Sequence, residues 1–418
     1  MRRIFEEKAK PIPISREVVL KAYKKVRKNK GCAGIDHVSI EKYESDLSNN
    51  LYKLWNRLAS GSYFPPAVKE KKIKKDNGKI RRLGIPTVSD RVAQQVIKDL
   101  IEPRLEAEFH SSSFGYRPLR SAHQALTCVR ENVRNYAWVI DLDITAFFDN
   151  VDHEKMQKAL DRHVEERWIK MYITRWLQAP VSKENGELSV SEGIGTPQGG
   201  VISPLLANLY LHYTFDKWMD LHFADLAFVR YADDIVIHCR SEKQAQFVLN
   251  KLNLRLGECN LSTHPDKTSI VYCKDYRRME VGKKVKFNFL GFSFRPEGKP
   301  SKRGGMFLGF DCAISKKSYS KIVKEIRDFK FHRWNCTWQQ IANLLNVKIR
   351  GWIQYYDKIK RRTLTSVFHR LHNRLLTWIT NYYKRFKGSK RRAIAYLRHI
   401  HRRYPTLFYH WEIGYHLV

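Results

Sequence analysis

Leu226-Ala227-Phe228-Val229-Arg230-Tyr231-Ala232-Asp233-Asp234-Ile235-Val236-Ile237-His238-Cys239 (226–239) reads as two apolar strand arms joined by a turn that carries adjacent aspartates. Like charges that close repel, and their apolar arms leave little water to screen them. A bound divalent cation resolves the conflict, and Mg²⁺ typically takes one or two carboxylates plus substrate phosphates. Taken alone, Asp-Asp is equally a surface turn with two solvated acids. A second stretch strengthens the first reading: Ala137-Trp138-Val139-Ile140-Asp141-Leu142-Asp143 is another buried strand with an acidic end. Asp143 would complete a site for two metal ions, an arrangement phosphoryl transfer exploits at its attacking and leaving oxygens.

Working outward, helical patterns lie over 153–179, 204–221 and 242–259, between and after these strands. Strands and helices intermixed around one sheet indicate an α+β unit. Upstream, 63–85 is short and strand-like, and Lys75-Asp76-Asn77-Gly78 supplies the turn of a hairpin. A helix follows, for which Ser89 is the expected cap, with Val92, Val96, Ile97 and Leu100 on its inner face. Residues 15–60 are helical in pattern and include a glycine-containing loop, NKGCAGIDHVS. After about Pro300 the strand signals fade, and helical segments are expected near 315–330, 336–358, 362–385 and 389–401. At 418 residues the chain has room for two or three packed units, and a boundary falls near 300.

The charge is unevenly placed. Seventy-seven Lys+Arg against 42 Asp+Glu leave +35, and residues 301–418 hold +21 of it. A field of one sign that large draws in a polyanion, usually nucleic acid. A merely solvated basic surface or an anionic membrane is the alternative, but the same segment holds 21 of the 52 aromatics. Solvated tails lack aromatics, whereas RNA binders stack unpaired bases on them. The seven cysteines show no C-x-x-C pairing, which supports neither a zinc site nor a disulfide framework and fits a reducing cytosol. No run has signal-peptide character or the 18 apolar residues of a membrane span, so a soluble, cytoplasmic protein is expected.

YADD between apolar strands, IDLDITAFFDNVDH (140–153), GTPQGGVISPLLANLYLH (195–212), IRRLGIPTVSDRVAQQ (80–95) and SSSFGYRPLRSAHQA (111–125) resemble successive motifs of group II intron-encoded reverse transcriptases. They stand in that family's order and at compatible spacing, and with NKGCAGID (29–36) and the basic tail the resemblance covers almost the whole chain. It implies a right-hand polymerase with fingers, an antiparallel palm sheet and an all-helical thumb or maturase (X) domain. The boundaries are then 1–62 for an N-terminal extension, 63–300 for fingers and palm, and 301–418 for the thumb. The activity implied is RNA-directed DNA polymerisation with two Mg²⁺ ions, for which Mn²⁺ can substitute. An RNA template with a DNA primer, dNTPs and target DNA are the implied partners.

The family's roles carry over residue by residue. Its catalytic, metal-binding aspartates match Asp143, Asp233 and Asp234. Asp143 is chosen over Asp141 because the residue that blocks a 2′-hydroxyl lies five positions downstream, where Phe148 stands; Asp141 and Asp149 are then structural. Gln198 in TPQGG matches the contact to the incoming nucleotide, and Gly195, Gly199 and Gly200 permit close backbone approach. Lys75 and Arg81 match the fingers cations that hold the triphosphate. Lys267 resembles the lysine near the triphosphate that donates a proton. Arg117 has two readings, along the template groove or bracing the fold. FNFLGFSF (287–294), with Gly291, reads as a grip on the primer end or as a core hairpin of alternating Phe.

In the tail, IRGWIQYYDKIKRRTLTSVFHRLHNRLLTWI (349–379) and PTLFYHWEIGY (405–415) carry the resemblance. Ile349, Trp352, Ile353 and Tyr356 are expected on an apolar helix face, with Lys358, Lys360, Arg361 and Arg362 on a basic one. In the family this domain grips intron RNA and assists splicing; a plain thumb holding any primer–template duplex is the alternative. Lys384, Arg385, Lys390, Arg391 and Arg392 offer a further nucleic-acid surface. Longer members end in an HNH-type endonuclease with cysteine pairs, for which the chain has no cluster before Val418. The reading is therefore a short-form, bacterial splicing cofactor and polymerase for retrohoming. A domesticated relative acting in repair or phage defence shares the same residues, while a polymerase-inactive splicing factor fits poorly with intact Asp143, Asp233, Asp234, Gln198 and Phe148.

Overall fold

Val19, Ala22, Tyr23 and Val26 bury one face of the first helix, α1 (Arg16–Asn29). Ser15 starts it: its hydroxyl accepts from the Val18 amide, which has no partner inside the helix. The computed structural model describes residues 11–74, 78, 80–190, 192–196, 198–281, 283–301, 304–331 and 335–416. Along the chain follow α2 (Ile40–Glu44), α3 (Leu47–Ala59), β1 (Val68–Lys74), β2 (Ile80–Ile85), α4 (Val88–Glu108), α5 (Ala122–Asn135) and β3 (Trp138–Asp143). Then come α6 (His153–Asp161), α7 (Arg167–Leu177), the two-residue strands β4 (Val181–Ser182) and β5 (Leu188–Ser189), α8 (Ser203–Leu211) and α9 (Lys217–His222). A π-helical turn, His212–Asp216, joins α8 to α9. The strands β6 (Phe228–Tyr231) and β7 (Asp234–Cys239) precede α10 (Glu242–Glu258), β8 (Ser269–Tyr272), β9 (Phe287–Phe289), β10 (Phe292–Pro300) and β11 (Met306–Ile314). The chain closes with α11 (Lys316–Asp328), α12 (Trp338–Tyr356), α13 (Thr365–Tyr382), α14 (Lys390–Arg403) and α15 (Tyr409–Glu412).

Two compact units divide these elements. The first takes the chain to Ser121, Leu142–Ile237 and Gln246–Thr268. Its expected hairpin is β1–β2, antiparallel from Lys69↔Ile85 to Lys74↔Ile80, in a sheet of order β2-β1-β4-β5. The second hairpin, β6–β7, runs from Phe228↔Ile237 to Tyr231↔Asp234. Strand β3 pairs antiparallel with β8, from Trp138↔Tyr272 to Asp141↔Ser269, and these residues fall to the second unit. The cap of α4 is Thr87, whose hydroxyl accepts from the Asp90 amide, and not Ser89, which lies inside the helix.

The second unit takes Ala122–Asp141, His238–Ala245 and the chain from Ser269. It departs from an all-helical segment after 300: β11 pairs with the whole of β10, from Phe292↔Ile314 to Pro300↔Met306. Asp311 on β11 is buried but meets Arg130 (2.8 Å) and Lys299 (2.7 Å), so a charge that argues against a strand is neutralised by tertiary partners. The four helical segments after it are α11 to α14. Leu345, Ile349, Phe368, Leu375, Trp378 and Trp411 belong to their common core, and each such burial contributes about 1.5–3 kcal/mol. No helix among the described residues is long and apolar enough to cross a membrane.

Candidate active site

The β6–β7 arms are buried through Phe228–Arg230 and Ile235–Cys239, which forces the polar pair into the turn. Ala232 there has a φ of 57°, left-handed for a residue with a side chain. Such a conformation costs roughly 1–3 kcal/mol and persists only where the surroundings over-determine it. Asp233 is half-buried; its carboxyl is pushed up by burial and by the charge of Asp143, against the pull of Arg81 and Lys267. Asp234 keeps open surface, yet the protein crowded around it and the charges of Asp233 and Asp143 push it up to about 7. The charge of Asp143 thus raises both Asp233 and Asp234, and Asp233 raises Asp234 further; oxygen donors of this kind suit a hard divalent cation.

Asp143 is held otherwise. Lys267 Nζ reaches its two oxygens at 2.7 and 2.9 Å, and the Asp143 carbonyl accepts from the His264 amide at 2.8 Å. No group of three or more His, Cys, Asp or Glu side chains among the described residues is closed around a cation position.

Gln198 and Arg81 come together: Arg81 donates from Nε to Gln198 Oε1 at 3.0 Å, and the Gly84 amide donates to the Gln198 carbonyl at 2.6 Å. Gly199, at a φ of 119°, stands so close to the Gly84 carbonyl that any Cβ would collide with it. The loop is tied to Phe148 as well, whose carbonyl accepts from the Thr196 amide at 2.8 Å. A cavity of about 300 Å³ opens beside Gly84, Asp149, Gly195, Thr196 and Gln198. Lys75 lies outside the described residues.

Arg117 braces the fold instead of lining a groove. It is buried, paired with Glu106 (2.7 Å), and donates to the carbonyls of His110 (2.6 Å) and Ser113 (2.7 Å). The segment it supports lies along β6, where Ser113 bridges Arg230. Arg230 is itself buried and paired with Asp216. Neither Arg230 nor Asp216 stood out in the sequence, although a cation inside an apolar strand was the available signal.

A family model for reverse transcriptase (RNA-dependent DNA polymerase) matches residues 73–294, more than half of the chain, and spans all of these side chains. The chain belongs to the reverse transcriptase family. A model of the group II intron maturase-specific domain matches residues 319–406 of this reverse transcriptase. Protein YkfC of Escherichia coli is 31% identical over 58% of the chain and 73% of its own length. The group II intron-encoded protein LtrA of Lactococcus lactis is 26% identical over 87% of the chain and 68% of its own. An uncharacterised 91 kDa protein in the cob intron of Schizosaccharomyces pombe is 25% identical over 84% of the chain and 50% of its own. The enzyme is accordingly an RNA-directed DNA polymerase of the reverse transcriptase/maturase type.

Within and around the maturase-specific segment, the cations sit differently from expectation. Helix α12 ends at Tyr356, so Lys358, Lys360, Arg361 and Arg362 occupy the turns before α13 and form no helix face. Arg362 is left-handed (φ 60°), and Lys360 is paired with Glu297. Lys360, Arg361 and Arg362 line a cavity of about 670 Å³ with His369, Arg370 and Asn373. Lys384, Arg385, Lys390, Arg391 and Arg392 are exposed. Gly291 (φ 81°) turns β9 into β10, and its carbonyl accepts from the Ser315 amide and the Ser318 hydroxyl, both at 3.0 Å. Phe287, Phe289, Phe292 and Phe294 around it are all buried, as a core hairpin requires.

Proposed function

We propose that this reverse transcriptase adds deoxynucleotides by two-metal nucleotidyl transfer and also acts as maturase for a group II intron, in splicing and retrohoming. The observation that carries the polymerase half is the convergence of Asp143, Asp233 and Asp234 with Lys267, Arg81 and Gln198. The three carboxylates would hold two Mg²⁺ ions, or Mn²⁺ in their stead. When bound, such ions activate the primer hydroxyl and neutralise charge on the departing pyrophosphate. Arg81 and Lys75 hold the triphosphate, Gln198 orients the incoming nucleotide, and Phe148 excludes a 2′-hydroxyl. Lys267, released from Asp143, offers its Nζ proton to the leaving oxygen.

In this reading residues 1–62 are an N-terminal extension, 63–300 form fingers and palm, and 301–418 form the thumb, whose helices begin at Lys316. Gly291 supports the primer end, and the exposed cations of the second unit grip structured intron RNA and target DNA. Asp234→Asn is expected to abolish primer extension on an RNA template while leaving template–primer affinity intact; full extension by that variant would sink the metal assignment. Binding to random RNA as tight as to a group II intron RNA would sink the maturase half alone.

A further inference from the structure

A fully buried arginine beside the aspartate turn has no part in the chemistry above, and its side chain ties that turn to two buried neighbours. Arg230 and Asp216 are both inaccessible to solvent, joined by Nε to Oδ1 at 2.8 Å and Nη2 to Oδ2 at 2.5 Å. The remaining nitrogen, Nη1, donates to Asn208 Oδ1 (3.0 Å) and to the Ala232 carbonyl (3.3 Å). Asn208 in turn donates from Nδ2 to the Gly115 carbonyl at 2.8 Å. Gly115 is seated against the Ala232 amide so closely that a Cβ there would collide with it. The Arg230 backbone closes the loop: its amide donates to Ser112 (2.9 Å), and its carbonyl accepts from Phe114 (2.8 Å).

Stability is a poor reason to keep such a pair. Withdrawing two charges from water costs several kcal/mol for each ion, and well-packed apolar residues of equal volume often do as well. Apolar residues could not donate to the Ala232 carbonyl. That carbonyl belongs to the left-handed residue directly before Asp233, so rotation of its peptide would swing the aspartate. Asp216 is the last residue of a π-helical turn, a rare insertion that recurs at functional sites.

We infer that Arg230 is a positioning residue: held by Asp216 and Asn208, it fixes the Ala232 peptide so that Asp233 and Asp234 meet a divalent cation in one geometry. The inference rests on the reading of these aspartates as metal ligands. Supporting partners of metal ligands typically govern about 10–100-fold in metal affinity. A purely structural brace would govern the melting temperature instead.

The test uses the full chain with Arg230→Lys, which keeps the charge but cannot span Asp216, Asn208 and Ala232 together. Mn²⁺ binding to the protein alone, read by electron paramagnetic resonance, is expected to weaken about ten-fold. The Mg²⁺ half-saturation for extension of oligo(dT) on poly(rA) should rise in parallel, with template–primer affinity unchanged. A folded Arg230→Lys protein with wild-type Mn²⁺ affinity and Mg²⁺ dependence overturns the inference. If that variant does not fold, Asn208→Ser decides by the same two readouts, since it removes only the Nη1 acceptor and the donor to Gly115. Wild-type protein that takes up no Mn²⁺ overturns the metal-ligand reading itself, and the role of Arg230 with it.

Discussion

Phe148 is half-buried, its ring edge-on to Phe147 at 5.3 Å and its carbonyl tied to the Gln198 loop through Thr196. The backbone thus sets where the ring stands, and a ring packed against a sugar edge rejects an added oxygen by volume alone. Phe148→Ala is expected to raise ribonucleotide incorporation by about ten-fold or more, since steric discrimination by one pocket residue is worth roughly 1–3 kcal/mol. Competition between dNTP and rNTP in primer extension measures it, and unchanged sugar selectivity would remove Phe148 from the role. That Asp143, Asp233 and Asp234 come close enough to act on one another was legible in the sequence. The choice between the two readings of Arg117 was not, nor was the burial of Arg230, because a buried arginine and a nucleic-acid-facing one look alike until their acceptors are known. Some of those acceptors are backbone carbonyls, those of His110, Ser113 and Ala232, which no residue pattern reveals.

At the scale of elements, periodicity carried most of the helices, and the apolar arms carried the β6–β7 hairpin; the one cap expected, Ser89, gave way to Thr87. What escaped was decided by distant partners: β11 depends on β10, Arg130 and Lys299, and the break expected between 358 and 362 widens to turns over 357–364 that take in all four cations expected on a helix face. Tyr415 fixes that interruption by donating to both oxygens of Asp357, at 2.7 and 2.6 Å. A similar long-range tie joins α13 to α15. His372 and His410 share a contact between their Nε2 atoms at 2.9 Å, and Trp411 Nε1 donates to His372 at 3.2 Å. Burial pushes His372 down to about 3 and His410 well below its ordinary range, so both rings are neutral in the fold. The unfolded chain protonates them near pH 6.5, so their contribution is complete above that pH and is lost as pH falls from there toward 3. Denaturant unfolding at pH 7 and pH 5 should therefore reveal an acid loss that His372→Gln reduces. An equal loss in variant and wild type would exclude the pair as its source.

Across the whole molecule the net charge of +35 is concentrated toward the C-terminal end, and its purpose has to be separated from folding. Helix α14 is instructive. Lys390, Arg391 and Arg392 fill its first turn, beside the positive end of the helix dipole, with no acidic residue there to offset them. Each cation so placed costs about 0.3–1 kcal/mol, so the fold gains nothing from them. An anion arriving from outside would gain from both the side chains and the helix end. Arg385 is held ready in another way, lying over the rings of Phe386 (4.7 Å) and Tyr396 (5.2 Å). Replacing Lys384, Arg385, Lys390, Arg391 and Arg392 with Gln should leave the melting temperature intact or slightly higher. The same replacement should flatten the dependence of RNA affinity on salt, by about 0.7–0.9 in log–log slope for each phosphate left without its cation. Extension of a short primer–template at saturating concentration should persist, because the aspartates and their supports lie in the other unit. A variant with the wild-type salt slope would take this surface off the RNA interface and leave the cavity of Lys360, Arg361, Arg362 and Arg370 to carry the binding.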